Sequence, residues 1–514
     1  RPVRAQILWV GIVLPLVLGL AIGLGQVWQT RLKPQPIPAA SAHTPTATLP
    51  PLDPWEEPAP VDLNTLPEYR IKLKLDVEER KLVGEEEIAW INSTGDELQT
   101  IVLRLYPNLS GAYAEKGGQV RLEALEVSAG AAQVDYAGDD SVMVVQLENP
   151  AGPGEQLQVR TKFVLDLPPF DSEENPLWMV RSFFPMLAVY ENGAWRTDVC
   201  ATCVDVVYSQ SAQFDLRVTA PPGWMATTGG DPISATPNGE GNIQHVFRTA
   251  NGPMRDLALA ISPEFRVFSR QVGETRISLY LPGTAAAGVE QEILSTAAEA
   301  FTYYTQQFGP YPYPDLSIVA VPAFPWLEQG AVFAARSSGM EYPGLISLGY
   351  LTGDPELPRI VAHEVAHQWW YGLAGNDVFN EAWLDESLAE YASLLFLRDQ
   401  EREAEVQSFL EKARRKVERI EILRGKAWKL GSSVYDFPDF STYSEVVYSK
   451  GALFLEALQE ETGSEAFFAG LQQYLACHRF GVGTGRGFLE AMQEASDQDL
   501  RPLFEEWVGL ESLR

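Results

Sequence analysis

The segment VAHEVAHQWW, residues 361–370, constrains this chain more than any other, because it places two of only five histidines four residues apart. On an α-helix, at about 3.6 residues per turn, His363 and His367 stand one above the other on one face, close enough to share an ion. The fold must therefore supply a helix here. It must also bring a ligand from elsewhere, since two imidazoles fill only half of a tetrahedral zinc shell. Glu364 lies roughly 100° around the helix from His363. That puts it beside such an ion rather than on it, where its carboxylate can take a proton from an attacking water. The competing reading is a buried helix with two structural histidines.

With 514 residues, 46% of them hydrophobic, the chain is long enough for two or three domains with substantial cores. Its 69 acidic against 39 basic residues give a formal charge of -30, which repels phosphate backbones and excludes nucleic acid as a partner class. Three cysteines provide no disulfide framework. Cys200 and Cys203 form a lone CATC, read either as a local disulfide or as two thiols, and Cys477 reads as core.

Ahead of the globular region, Arg1 and Arg4 precede an uncharged run from Ile7 to Gly25, just long enough to cross a bilayer. Its nearest Ala-x-Ala, Ala40 to Ala42, lies far beyond the run. We therefore expect an uncleaved anchor over residues 1–30 with an extracytoplasmic catalytic region, and a cleaved signal peptide with secretion as the alternative. The stretch rich in Pro, Ala and Thr within 31–64 reads as an extended linker.

At YRIKLKLDV, residues 69–77, apolar side chains alternate with charged ones, the period-two mark of a half-buried strand. Similar runs (EEIAWIN, TIVLRLYPN, EQLQVRTKFVL, QFDLRVTAP) recur between Gly, Pro and Asn clusters, which predicts an antiparallel, sandwich-like β domain over 65–274. Helical spacing takes over in VEQEILSTAAEAFTYYTQQFG, and LSIVAVPAF reads as a strand. The helix of His363 should start near Pro358 and end near Gly372 or Gly375. A second should begin around Asn380, and Gly463 should stop a later one. The fold class is α+β, with the second domain spanning 275–514.

A third metal ligand has to follow. Position 373 is Leu, which rules out a histidine at the HExxHxxGxxH spacing, and His478 has no motif around it. A carboxylate on the next helix is the natural choice, and Glu386 lies nineteen positions after His367 within WLDESLAEY.

HEVAHQWWYG followed at that spacing by WLDES resembles the M1 family of zinc aminopeptidases, gluzincins in which a downstream glutamate completes HExxH. GMEYP, residues 339–343, resembles the family's Gly-x-Met-Glu-Asn strand, with Tyr342 where Asn is usual, and YSEVVYSKGA resembles its Tyr-x-Lys-Gly segment. The resemblance spans about residues 65–510. It implies a thermolysin-like catalytic domain in 275–514 and one Zn2+ per chain, held by His363, His367 and Glu386. It further implies Glu364 as general base, Tyr448 as the oxyanion-stabilising phenol, and Gly339, Met340 and Glu341 as the substrate-binding strand. Glu341 would pair with the terminal ammonium of peptides that have a free amino terminus.

Glu390, one turn beyond Glu386, reads either as a hydrogen-bond acceptor for a ligating imidazole or as a solvated side chain. Trp369, Trp370 and Trp383 read as core. The resemblance is to a short, bacterial-type member, with an amino-terminal anchor expected; sixty-six residues of this sequence follow Tyr448, and a more open site is expected than where a large helical domain covers the cleft. A zinc endopeptidase on the same scaffold and a non-catalytic peptide-binding protein remain as alternatives.

Overall fold

The computed structural model describes residues 58–109, 118–169, 176–200, 206–283, 285–322, 326–328, 331–333 and 337–513. The expected anchor and most of the expected linker lie outside them. Among the described residues, no helix is long and apolar enough to cross a membrane.

In the first strand, Glu68–Asp76, Tyr69, Ile71, Leu73 and Leu75 are buried while the charged residues between them are exposed. One sequence alternation thus fixes which face meets the core. This strand lies inside a seven-stranded sheet ordered Asp231–Pro237, Ile243–Arg248, Gln213–Ala220, Glu68–Asp76, Lys81–Ile91, Gln156–Asp166, Gln119–Val127. Pairing is antiparallel throughout, apart from the parallel match of Glu68–Asp76 with Gln213–Ala220. A four-stranded, a three-stranded and a two-stranded sheet complete the β-rich region among the described residues.

The next sheet runs Arg266–Val272, Thr275–Leu281, Asp315–Pro322, Leu345–Tyr350, Ser338–Tyr342, so strand pairing crosses the boundary expected between 274 and 275. Ser338–Tyr342 is its edge strand. The two regions meet in an apolar cluster of Ala258, Ala260, Val319, Tyr342 and Leu345, with Met340 packed against it.

Helix Val289–Phe308 buries Ile293, Ala297, Ala300, Phe301, Tyr304 and Phe308 along one face, and Gly309, at φ 109°, ends it. Its aromatic residues hold the histidine helix. Trp369 packs among Phe301, Tyr304, Phe308 and Tyr311, and Tyr304 donates a hydrogen bond to the Ala362 carbonyl at 3.1 Å. Burying each such ring stabilises by roughly 1.5–3 kcal/mol, enough to make this helix pair a rigid base for the site.

The histidine helix spans Leu357–Ala366, with Pro358 in its first turn. It ends well before Gly372. Tight turns close it, with Gln368 N bonding Val365 O at 3.1 Å and Trp369 N bonding Ala366 O at 2.9 Å, and the chain then reverses at Tyr371, whose φ is 111°. The second site helix, Trp383–Asp399, starts three residues later than expected. An Asx turn precedes it, in which Asp377 Oδ1 accepts from the amides of Phe379 (3.1 Å) and Asn380 (3.2 Å). Cys200 is disulfide-bonded, Cys203 lies outside the described residues, and Cys477 is half-buried rather than part of the core.

Candidate metal centre

The two helices bring His363, His367 and Glu386 together, all three buried. His363 Nε2 and His367 Nε2 are 3.1 Å apart, and each is 3.3 Å from Glu386 Oε2. Three ligands of a tetrahedral zinc with bonds of about 2.0–2.1 Å stand about 3.3–3.4 Å from one another, so the triangle has the right size.

Its hydrogen bonding points the same way. His367 Nδ1 faces the Trp370 carbonyl at 3.0 Å, and His363 Nδ1 stands 2.8 Å from Glu390 Oε2, at ion-pair distance but out of line for a hydrogen bond. Both neighbours are acceptors, so the ring protons belong on Nδ1 and both Nε2 lone pairs turn inward. Glu386 Oε2 meets them without a hydrogen-bond donor of its own. Three acceptors converging in a buried space need a cation.

The surrounding carboxylates say so as well. Burial disfavours an imidazolium, yet Glu341 and Glu386 outweigh it and push His367 up to about 9. Burial pushes the Glu364 carboxyl up to about 8, against the pull of the two histidines. A divalent ion would supply that positive charge while leaving both imidazoles neutral.

Glu390 lies against His363 rather than in solvent. It accepts two hydrogen bonds from Arg359 Nη1, at 2.7 and 2.8 Å. Burial alone would raise the Glu390 carboxyl, but Arg359 and His363 hold it down to about 2. Arg359 escaped the sequence reading. It stands one turn before His363 as Glu390 stands one turn after Glu386, so a pair of i, i+4 spacings was the available signal.

Tyr448 sits in a π-helical turn, Glu445–Lys450, between the short helix Phe440–Ser444 and the helix Gly451–Thr462. Its hydroxyl donates to Glu386 Oε1 and its ring stacks over His363 at a centroid distance of 6.0 Å. Ser387 Oγ donates to Val447 O at 2.7 Å, and Lys450 Nζ donates to Glu421 Oε1 (2.9 Å) and Trp428 O (2.6 Å), which fixes the turn from both sides.

On the edge strand, alternation separates the motif residues. Gly339 and Glu341 share the face turned toward Glu364, where burial raises the Glu341 carboxyl above its ordinary range. Met340 and Tyr342 point the other way, into the apolar cluster. The Met340 side chain thus packs away from Glu364, while its backbone belongs to the strand at the edge of the sheet among the described residues. Gln368 fastens this hairpin to the end of the histidine helix, accepting from Gly344 N at 2.8 Å and donating to Tyr342 O at 3.3 Å. Nothing in the sequence marked that role.

With this geometry in place, comparison with known proteins adds that residues 292–507 match the peptidase family M1 domain. The chain carries a peptidase family M1 domain. Among curated proteins it is similar to Tricorn protease-interacting factor F2 of Thermoplasma acidophilum, with 26% identity over 42% of this chain and 28% of that one. It is also similar to Aminopeptidase 2 of Candida albicans (25% identity, 52% of this chain and 29% of that one) and to Aminopeptidase N of Streptomyces lividans (25%, 59% and 36%). The matched part of the chain thus spans about a third or less of those relatives. A solved M1 zinc metallopeptidase from Deinococcus radiodurans shares the fold at a TM-score of 0.61 and 20% identity, over 86% of this chain and 94% of that one.

Proposed function

We propose that this M1 chain is a zinc aminopeptidase, with His363, His367 and Glu386 holding one Zn2+. The reading is carried by the three inward-facing acceptors, spaced for a tetrahedral ion. Bound zinc supplies Lewis-acid polarisation of the scissile carbonyl and lowers the pKa of water.

The chain's own residues do the rest. Glu364, buried and starting high in pKa, accepts the proton of the attacking water and returns it to the leaving amine. Tyr448 directs its hydroxyl into the same space and donates to the oxygen on which negative charge develops. The open edge of Ser338–Tyr342 aligns a peptide by strand addition, and Glu341 pairs with its terminal ammonium. Glu341 thereby turns a general peptidase into one that reads chain ends.

Hydrolysis of aminoacyl anilides by the full chain tests this reading. Glu364→Gln should retain zinc while kcat falls about a hundred- to ten-thousand-fold. Acetylating a peptide's amino terminus should abolish its cleavage. Undiminished turnover by Glu364→Gln would defeat the mechanism, and cleavage of the blocked peptide would move the assignment to an endopeptidase.

The same proposal includes tethering to a membrane through Ile7 to Gly25, with the catalytic region on the extracytoplasmic side. It is supported by the nineteen-residue uncharged run and the Pro-rich spacer that follows it. Retention in the membrane pellet after alkaline extraction checks it, and release would contradict it.

A further inference from the structure

Arg255 is 2% exposed, and among the described residues no carboxylate is hydrogen-bonded to it. Its guanidinium instead donates to three backbone carbonyls, through Nε to Tyr371 O at 2.6 Å, Nη1 to Ser209 O at 3.2 Å and Nη2 to Gly481 O at 2.9 Å. A buried cation spent on carbonyls is costly unless it fixes a backbone that would otherwise move.

The backbone it grips is strained. Tyr371 has φ 111°, a region that residues with a β-carbon rarely occupy and glycine takes freely. Its amide bonds Ala374 O at 2.8 Å, and the next amide, Gly372 N, bonds His367 O at 2.8 Å, so the strained turn folds straight back onto the histidine helix. The peptide just before it carries the Trp370 carbonyl, which faces His367 Nδ1 at 3.0 Å. Gly375 belongs to the same arrangement, because a β-carbon there would stand 2.1 Å from Arg255 Nη1.

We propose that Arg255, reaching over from the β-rich region, is a positioning residue for the metal centre: it holds Tyr371 in its strained conformation so that the Trp370 carbonyl fixes the orientation and tautomer of His367. The proposal rests on the reading of His367 as a metal ligand. Arg255 is not among the candidate ligands and would act through this turn alone.

Competition with a chromophoric chelator measures zinc affinity on the full chain without reference to turnover. Arg255→Gln should weaken zinc about tenfold, at the lower end of what loss of an outer partner costs a ligating histidine. The double variant Arg255→Gln with Tyr371→Gly should recover most of that loss, since glycine needs no clamp at this φ. A purely structural role for Arg255 predicts no such rescue. Unchanged affinity in Arg255→Gln, or a double variant as weak as the single one, overturns the proposal. If Arg255→Gln does not fold, Gly375→Ala, which displaces the guanidinium from within an intact sequence, should show the same loss, and wild-type affinity there overturns it equally. A wild-type chain that takes up no zinc would instead defeat the metal-centre reading.

Discussion

A β-carbon placed on Gly339 would stand 2.2 Å from Glu364 Cδ and 2.3 Å from Glu364 Oε1. The edge strand and the histidine helix approach so closely that the proposed base is held by the absence of a side chain opposite it. Gly339→Ala should therefore push the carboxylate out of line and lower kcat on the order of a hundredfold, with zinc content unchanged. Metal analysis alongside steady-state kinetics checks this; wild-type kcat would show that Glu364 has room to spare.

Gly451 plays a comparable part between helices. A β-carbon there would meet Ser387 Oγ at 2.0 Å, across the contact that holds the Tyr448 turn against the Glu386 helix. Gly451→Ala should destabilise by about 1–3 kcal/mol through overpacking. Ser387→Ala alone should cost about 1 kcal/mol for its buried hydrogen bond. Together they should cost less than their sum, which denaturant unfolding of the double-mutant cycle measures.

Arg359 and Glu390 form a charged backing to His363. Removing either leaves the other buried without its partner and frees the imidazole, so Arg359→Met and Glu390→Gln should each weaken zinc binding about ten- to a hundredfold. Isothermal titration with zinc gives the affinity directly. Equal affinities in all three proteins would mean that His363 needs no support.

Asp256 offers a test away from the metal. It is fully buried, accepts from Ser182 Oγ and Leu257 N at 2.6 Å each, and burial pushes its carboxyl up to about 7 from an ordinary 3.8. Between those values the folded chain keeps a proton that the unfolded chain has lost, so this group's contribution to stability falls as pH rises from about 4 to 7. Asp256→Asn removes the dependence. Its Tm relative to wild type should climb across that interval, and a constant difference would contradict the shift.

Much of this arrangement could be read from the chain because it depends on local period. The alternation in Glu68–Asp76 names its own buried face, and four-residue spacings put His363 over His367 and Glu386 beside Glu390. The same rule, applied to GMEYP, would have separated Met340 and Tyr342 from Glu341 before any coordinates existed. It also accounts for the tyrosine at 342, whose ring serves the junction between the two regions rather than the cleft. What escaped was long-range. The parallel pairing of Glu68–Asp76 with Gln213–Ala220 joins strands about 140 residues apart, and Arg255 acts on a turn 116 positions away. The early end of the histidine helix escaped for a different reason, since a tyrosine at φ 111° breaks the rule that such turns announce themselves with glycine.

The wide turn at Glu445–Lys450 sets local regularity against chemistry. Because a π-turn holds one residue more than an α-turn, deleting one of the residues ahead of Tyr448 in this turn would let the backbone settle into an unbroken, better-bonded coil. The phenol would then swing by about 100° and lose its target. On the reading of Tyr448 as an oxyanion donor, a more regular helix here would therefore cost the site its phenol.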